Sequence, residues 1–405
     1  MKITFIGDIM CEPSVLKGAA KKDGSYDFRP MFEKVKGLLG EADYVVGNME
    51  FPMAGEEVGY THSYYVFNAP DAYADAVKDA GFDLISTVNN HTFDRGMDGL
   101  VRTLKVLDDR DIGHTGTWAP GTEREEAFYF DVEGTKFAVI AYTYATNHMK
   151  AADDPRNVLV EGEYKGTVNL LRHQQGGTYL PGVYRKPDKI DKLTKKFLDE
   201  EQRGRLKILL GKEGNYARRD DLVKEEAMAP YMEQLQQDIR AAKEKADLVL
   251  CYPHMGGQFN TTPGKFSEYV TGKILNAGAD AMLASHSHCI QKVELRGAVP
   301  CAFSMGNFSM SPNSSLMVPE ALPGYGLAVH LYVEDKKIVK TTFSILKAVE
   351  KKRKLLVSWP VDELYAELKS EKEKKQLEQD VAKLLVTITG KQPAGNVIAR
   401  EYIVE

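Results

Sequence analysis

The sequence predicts an α/β fold built on parallel strands, and three observations carry the prediction. Short aliphatic and β-branched runs recur along the chain, bounded by turn residues, as buried parallel strands require. Four of them start at an acidic residue and end in metal-binding side-chain types: DYVVGNME (Asp43 to Glu50), DLISTVNNH (Asp83 to His91), DLVLCYPH (Asp247 to His254) and DAMLASHSH (Asp280 to His288). Helical patterns fall between the runs, which gives the alternating rhythm of an α/β architecture.

Taken in order, ITFIGD supplies a first strand over 2–7, ending at Asp8, and a second covers 44–47. Pro70 and Asp71 open a helix over 71–80. A strand at 83–88 leads to a helix at 98–110, stopped by Gly113. AFYFDV and FAVIAYTYA form two further strands around the turn Glu133-Gly134. From about 149 to 229 the rhythm breaks, and Gly, Pro and Tyr content points to a loop-rich insertion. Within it GKEGN lacks the spacing of a phosphate-binding loop, while Tyr179 and Arg185 are candidates to cover a site. The rhythm resumes with a helix at 230–245, a strand at 247–251, a helix at 266–277 and a strand at 280–284. Strands at 290–295 and 299–304 and a pair at 326–333 and 337–346 follow. Leu364, Leu368, Leu377, Val381 and Leu384 mark an amphipathic surface helix over 361–387. The expected division is a main domain over 1–350 carrying the insertion, with 351–405 as a strand and helix extension packed on it.

Composition sets bounds. A net charge of −5 and pI near 6.1 leave no basic footprint for nucleic acid. No apolar run approaches the ~18 residues of a membrane span, and MKITFIGDIM shows no signal-peptide pattern, so a cytoplasmic location is expected. Cys11, Cys251, Cys289 and Cys301 have no CxxC pairing and read as reduced thiols. Oligomeric state is not legible.

The functional signal is joint. Ligands in open α/β sheets gather beyond the carboxyl ends of the strands, so residues 8, 50, 90, 254, 286 and 288 are expected on one rim. Asn48 and Glu50, two apart, share one face of extended backbone. Asp94 lies three residues past His91, within reach to orient its imidazole. His286 and His288 alternate and are expected to face the same way as a chelating pair. Carboxylates, an amide and imidazoles together suit a divalent cation such as Mn, Fe or Zn. Arg95, beside His91 and Asp94, and Asn307, after a strand, are candidates for substrate contact.

GDIM, GNMEFP, STVNNHTFDRGMDGL, YPHMGG, ASHSHCIQKVE and FSMGNF resemble the CapA/PgsA family of poly-γ-glutamate capsule-synthesis proteins, which is itself similar to calcineurin-like metallophosphoesterases. The matching blocks run in order over about 1–148 and 230–310. The resemblance implies a four-layered α/β/β/α metallophosphoesterase-like sandwich with Asp8, Asn90, His254, His286 and His288 on metal-ligand positions. It also implies that Asn48 stands where the phosphoesterases carry a bridging Asp, with Glu50 taking over that charge, and that His91, backed by Asp94, is the general acid. Met10 departs from the family pattern, which has His there; it reads as a core residue. The implied activity is hydrolysis by a metal-bound hydroxide, on a phosphate ester or a γ-glutamyl-type amide, with a small-molecule, peptide or polyglutamate substrate. Two alternatives stay open: a non-hydrolytic binding component of capsule polymer synthesis, and metal-assisted proton transfer or epimerisation at a peptide.

Overall fold

The computed structural model describes residues 1–63, 66–149, 154–174, 178–179, 189–194, 196–198, 206, 210, 220, 225–311, 318–350 and 355–405. Its early strands are β1 (Lys2–Ile9), β2 (Tyr44–Met49), β3 (Leu84–Ser86), β4 (Gly113–Thr115), β5 (Phe128–Val132) and β6 (Thr135–Thr143). Next come β7 (Asn147–His148), β8 (Thr178–Tyr179), β9 (Leu248–His254), β10 (Ala281–Leu283), β11 (Val293–Arg296) and β12 (Val299–Ala302). β13 (Tyr325–Glu334), β14 (Lys337–Val349), β15 (Val357–Pro360) and β16 (Tyr402–Ile403) complete the set.

Two large sheets result. The first runs β15-β14-β13-β1-β2-β3-β4, with β16 on β14; β1 to β4 are parallel and β13 lies antiparallel to β1. The second runs β11-β12-β10-β9-β6-β5, with β6, β9, β10 and β12 parallel. β7 and β8 pair separately, joining the insertion to the chain just before it. Arg185 and GKEGN lie outside the described residues, and Tyr179 falls in β8.

Period-two patterning decides which face each strand residue serves. Ile3 and Phe5 of β1 share a cluster with Val139 and Ala141 of β6 and Leu250 and Tyr252 of β9, between the sheets. Their neighbours Val45 and Ile85 instead join Tyr73, Val77, Val106 and Leu107 from helices Ala72–Asp79 and Gly96–Asp108. On the second sheet Ile140, Val249 and Cys251 pack on Met232, Leu235, Val270 and Ile274 from helices Glu225–Lys245 and Lys265–Asn276. Both faces of the central parallel strands β1, β2, β6 and β9 are therefore buried, which is why these strands read as largely apolar runs. Each buried Phe, Leu or Ile contributes about 1.5–3 kcal/mol. All four cysteines are buried and free.

The sheets are also tied directly. Tyr252 Oη of β9 donates to the Ile6 carbonyl of β1. At Gly7 the chain comes so close to the 305–306 segment that a Cβ would lie 2.1 Å from the Gly306 carbonyl oxygen. That approach lets Asp8 N donate to Gly306 O at 2.9 Å.

The tail departs from expectation. Instead of one helix it forms two, Val361–Glu367 and Glu371–Thr389. Leu368 turns extended, and Ser370 starts the second helix by accepting from Glu373 N at 3.4 Å. Ser370 followed three residues later by Glu373 is the S-x-x-E start signal, which competes with the apolar spacing across the gap. Leu377, Val381 and Leu384 close one side of the inter-sheet core.

Candidate metal centre

Each strand delivers its residues at its carboxyl end. β1 supplies Asp8, β2 Asn48 and then Glu50, the turn after β3 Asn89 to Asp94, β9 His254, and the segment after β10 Ser285 to His288. Asp8 pairs in register with Asn48 and forms a bridge with Asn307; His254 forms one with Ser285. The expected rim thus assembles from both sheets, and Asp8, Asn48, Glu50, Asn90, His91, Asp94, His254, His286, His288 and Asn307 are all at most 5% exposed.

Among the described residues, two three-residue groups place candidate ligand atoms within 4.8 Å of one another: Glu50, His254 and His286, and Asp8, Glu50 and His288. Glu50 belongs to both. Around His254 Nε2 stand Asn90 Oδ1 at 2.8 Å, His286 Nδ1 at 3.1 Å and Glu50 Oε1 at 3.4 Å. Donor atoms bound at about 2.0–2.2 Å to one ion sit about 3.0–3.5 Å from each other, so this spacing fits a shared cation. On the other side His288 Nδ1 lies 3.5 Å from Asp8 Oδ2 and His288 Nε2 lies 3.6 Å from Glu50 Oε1.

His286 and His288 were expected to face one way; they divide between the two groups, with ring centroids 5.8 Å apart. The strand ends at Leu283, and both histidines have left-handed backbone (φ 105 and 51), so strand periodicity no longer applies. Such φ values cost about 1–3 kcal/mol in non-glycine residues and cluster at functional sites.

Electrostatics follow from burial. Both Glu50 oxygens are buried without a hydrogen-bond partner. Burial lifts its carboxyl to about 8, with the histidines offsetting part of the rise. Burial holds His254 down at about 4, against the pull of Asp8, and keeps His286 well below the usual histidine value. Neutral imidazole is the form that binds metals.

His91 is different. Burial works against its charge, yet the Asp94 carboxylate outweighs it and raises His91 above the ordinary value. Its Nδ1 is 2.7 Å from Asp94 Oδ2, which also accepts from Phe67 N at 2.7 Å. The Phe67 ring packs at 4.5 Å, and His91 Nε2 points to the cluster, 3.9 Å from Glu50 Oε1.

Other candidates take supporting places. Asn48 Nδ2 donates to Asp8 Oδ1 at 2.8 Å, and its Oδ1 accepts from Asn89 Nδ2 at 3.3 Å, so it braces Asp8. Arg95 Nη1 and Nη2 donate to the carbonyls of Asp94 and Gly59 at 2.9 and 3.2 Å. Asn307, a candidate for substrate contact, has its Oδ1 2.9 Å from His288 Nδ1. Met10 packs in the apolar cluster beneath helix Ala72–Asp79.

Sequence reasoning missed Asn89, Ser285, Asn147 and Tyr144. Asn89 Nδ2 donates to Met49 O at 2.9 Å, and its Oδ1 accepts from His91 N at 3.0 Å, linking β2 to the His91 turn. Ser285 Oγ lies 3.1 Å from His254 Nδ1, and the Tyr144 ring packs tilted against His286, with centroids 4.4 Å apart. Asn147 N donates to Asn90 O at 2.7 Å. The doubled asparagine in NNH was a visible signal; the other three act across sheet neighbours that spacing does not reveal.

The fold and centre define a class: a two-sheet α/β protein whose buried His, Asp and Glu groups could hold a metal ion. Residues 2–311 match the bacterial capsule synthesis protein PGA_cap family, and the chain belongs to it. It is 24% identical over 321 residues to the uncharacterized protein y4sH of Sinorhizobium fredii, covering 75% of this chain. With the capsule biosynthesis protein CapA of Bacillus anthracis it shares 23% over 330 residues, covering 81% of this chain. The chain spans 64% of the length of each of these relatives. A crystal structure of a hypothetical protein from Thermus thermophilus aligns over 86% of this chain and 99% of its own, at TM-score 0.44 and 15% identity, a likeness too slight to carry functional weight. Among the described residues no helix is long and apolar enough to cross a membrane.

Proposed function

We propose that this centre is a metal-dependent hydrolase site acting on a phosphate ester or a γ-glutamyl-type amide in capsule-polymer metabolism. One observation carries the reading: a fully buried Glu50 carboxylate, with neither oxygen hydrogen-bonded, shared by two groups of ligand-type side chains. A buried carboxylate without a partner costs several kcal/mol unless a cation satisfies it. Asp8, Glu50, Asn90, His254, His286 and His288 would hold the ion or ions, and the mixed imidazole and oxygen donor set suits Mn, Fe or Zn. When bound, a divalent ion polarises the reacting group and makes water acidic enough to serve as nucleophile near neutral pH.

This chain's own residues supply the proton chemistry. With Asp94 holding Nδ1, His91 presents Nε2–H toward the cluster and delivers that proton to the departing oxygen or nitrogen, a contribution of about 10²–10⁴ in rate. The raised pKa of His91 keeps it protonated to higher pH than an ordinary histidine, which favours its use as an acid. Proton abstraction next to a peptide carbonyl would need it neutral. Asn89 and Asn48 keep the two loops in register.

The test is metal content of the purified protein, then turnover of aryl phosphates and γ-glutamyl peptides with added Mn. Hydrolysis of either substrate, lost in His91→Ala while the metal stays, is the expected result. Bound metal with neither substrate turned over would sink the hydrolase reading in favour of a binding component.

A further inference from the structure

Asn307 has a task that its place near the rim does not suggest. Its Nδ2 donates to the carbonyl oxygens of His288, at 2.8 Å, and Pro323, at 2.9 Å. Carbonyls only accept, so both amide hydrogens are committed and the two ends of the amide are told apart by chemistry. Oδ1 must then be the end facing His288 Nδ1, 2.9 Å away. An amide oxygen only accepts, which places the intervening hydrogen on Nδ1. Asp8 Oδ2, 3.5 Å from the same nitrogen, is a second acceptor and favours the same arrangement. His288 Nε2 is left with a bare lone pair, 3.6 Å from the unpartnered Glu50 Oε1. Asn307 is 1% exposed, so bulk water does not compete for these contacts.

We infer that Asn307 is a positioning residue that locks His288 as its Nδ1–H tautomer and thereby aims the Nε2 lone pair at the space beside Glu50. The inference rests on the metal-centre reading above and deepens it, since two backbone carbonyls, through one amide, decide which imidazole nitrogen is free for an ion. Partners of this kind raise ligand basicity and fix ring orientation.

Two-bond proton–nitrogen correlation spectra of the metal-free protein report the tautomer of each histidine. The expected result is Nδ1–H at His288 in the unaltered chain, and a shift toward Nε2–H in Asn307→Leu. Titration with Mn or Zn should show affinity lower by about 10–100-fold in Asn307→Leu. A residue with a merely structural role would lower the melting temperature and leave the tautomer alone. Nε2–H at His288 in the unaltered protein overturns the proposal with no variant needed. So does a folded Asn307→Leu that keeps Nδ1–H. If the unaltered protein binds no ion yet shows Nδ1–H, the metal reading fails and the positioning role stands.

Discussion

Glu50→Gln tests the centre through stability as well as activity. The carboxyl moves from 4.5 in the unfolded chain to about 8 in the folded one. Between those values the folded form keeps a proton that the unfolded form has released. Metal-free stability from this group is therefore fully present below pH 4.5 and is lost as pH rises toward 8. At about 1.36 kcal/mol per pH unit, the loss across the window sums to about 5 kcal/mol, an upper figure. Glutamine does not ionise, so metal-free Glu50→Gln should match the unaltered protein near pH 5 and exceed it by a few kcal/mol at pH 8. His254 and His286, both depressed, act in the opposite sense below the ordinary histidine value, but they are common to both proteins and cancel in the difference. Urea unfolding after chelation, followed by the fluorescence of Trp118 and Trp359, measures that difference at several pH values. Adding Mn should reverse the order, because only the carboxylate can engage the ion. Parallel stability curves across pH would refute the reasoning, since the charge of Glu50 would then be satisfied without a cation.

Asp94→Asn removes the charge that raises His91, so the alkaline limb of kcat/KM, set by the protonated acid, should move to lower pH with a loss of about 10²–10⁴ at its far side. His286→Ala and His288→Ala strike different groups, so elemental analysis of a two-ion centre should show each variant retaining one ion; complete loss from either would indicate a single shared site. Gly7→Ala drives a methyl against the Gly306 carbonyl, a backbone atom that cannot swing away, and should cost at least about 1–3 kcal/mol, read as a lower melting temperature.

Much of the centre was legible because strand ends announce themselves. The acid before four of the apolar runs and the Asp, His, Asn or Glu after each of the five mark where a buried strand meets the rim, and Asp8, Glu50, Asn90, His254, His286 and His288 all arrive there. The helix after Pro70-Asp71 and the β5–β6 hairpin around Glu133-Gly134 were equally plain, whereas the short helices Pro13–Ala19 and Lys36–Leu39 were not expected. What failed were extrapolations past an element's end. His286 and His288 diverge because the backbone turns left-handed just beyond β10, and φ is not written in residue spacing. Leu364 and Leu377 both reach the inter-sheet core although Ser370 begins a new helix between them. The position of Asn307 after a strand put it near the rim, but its bonds to the carbonyls of His288 and Pro323, one of them 16 residues away, are not written in the spacing.

The division of the ligand set between sheets has a mechanical consequence. Asp8, Glu50 and Asn90 belong to the first sheet and its loops, His254, His286 and His288 to the second. An ion lodged there would act as a rivet through the seam, adding about 2.7 kcal/mol to the clamping of the halves at a hundredfold excess over its dissociation constant. Chelators should accordingly loosen the sandwich along this line first, opening amide exchange at the ends of β1 and β9 while the helix-covered outer faces stay shut.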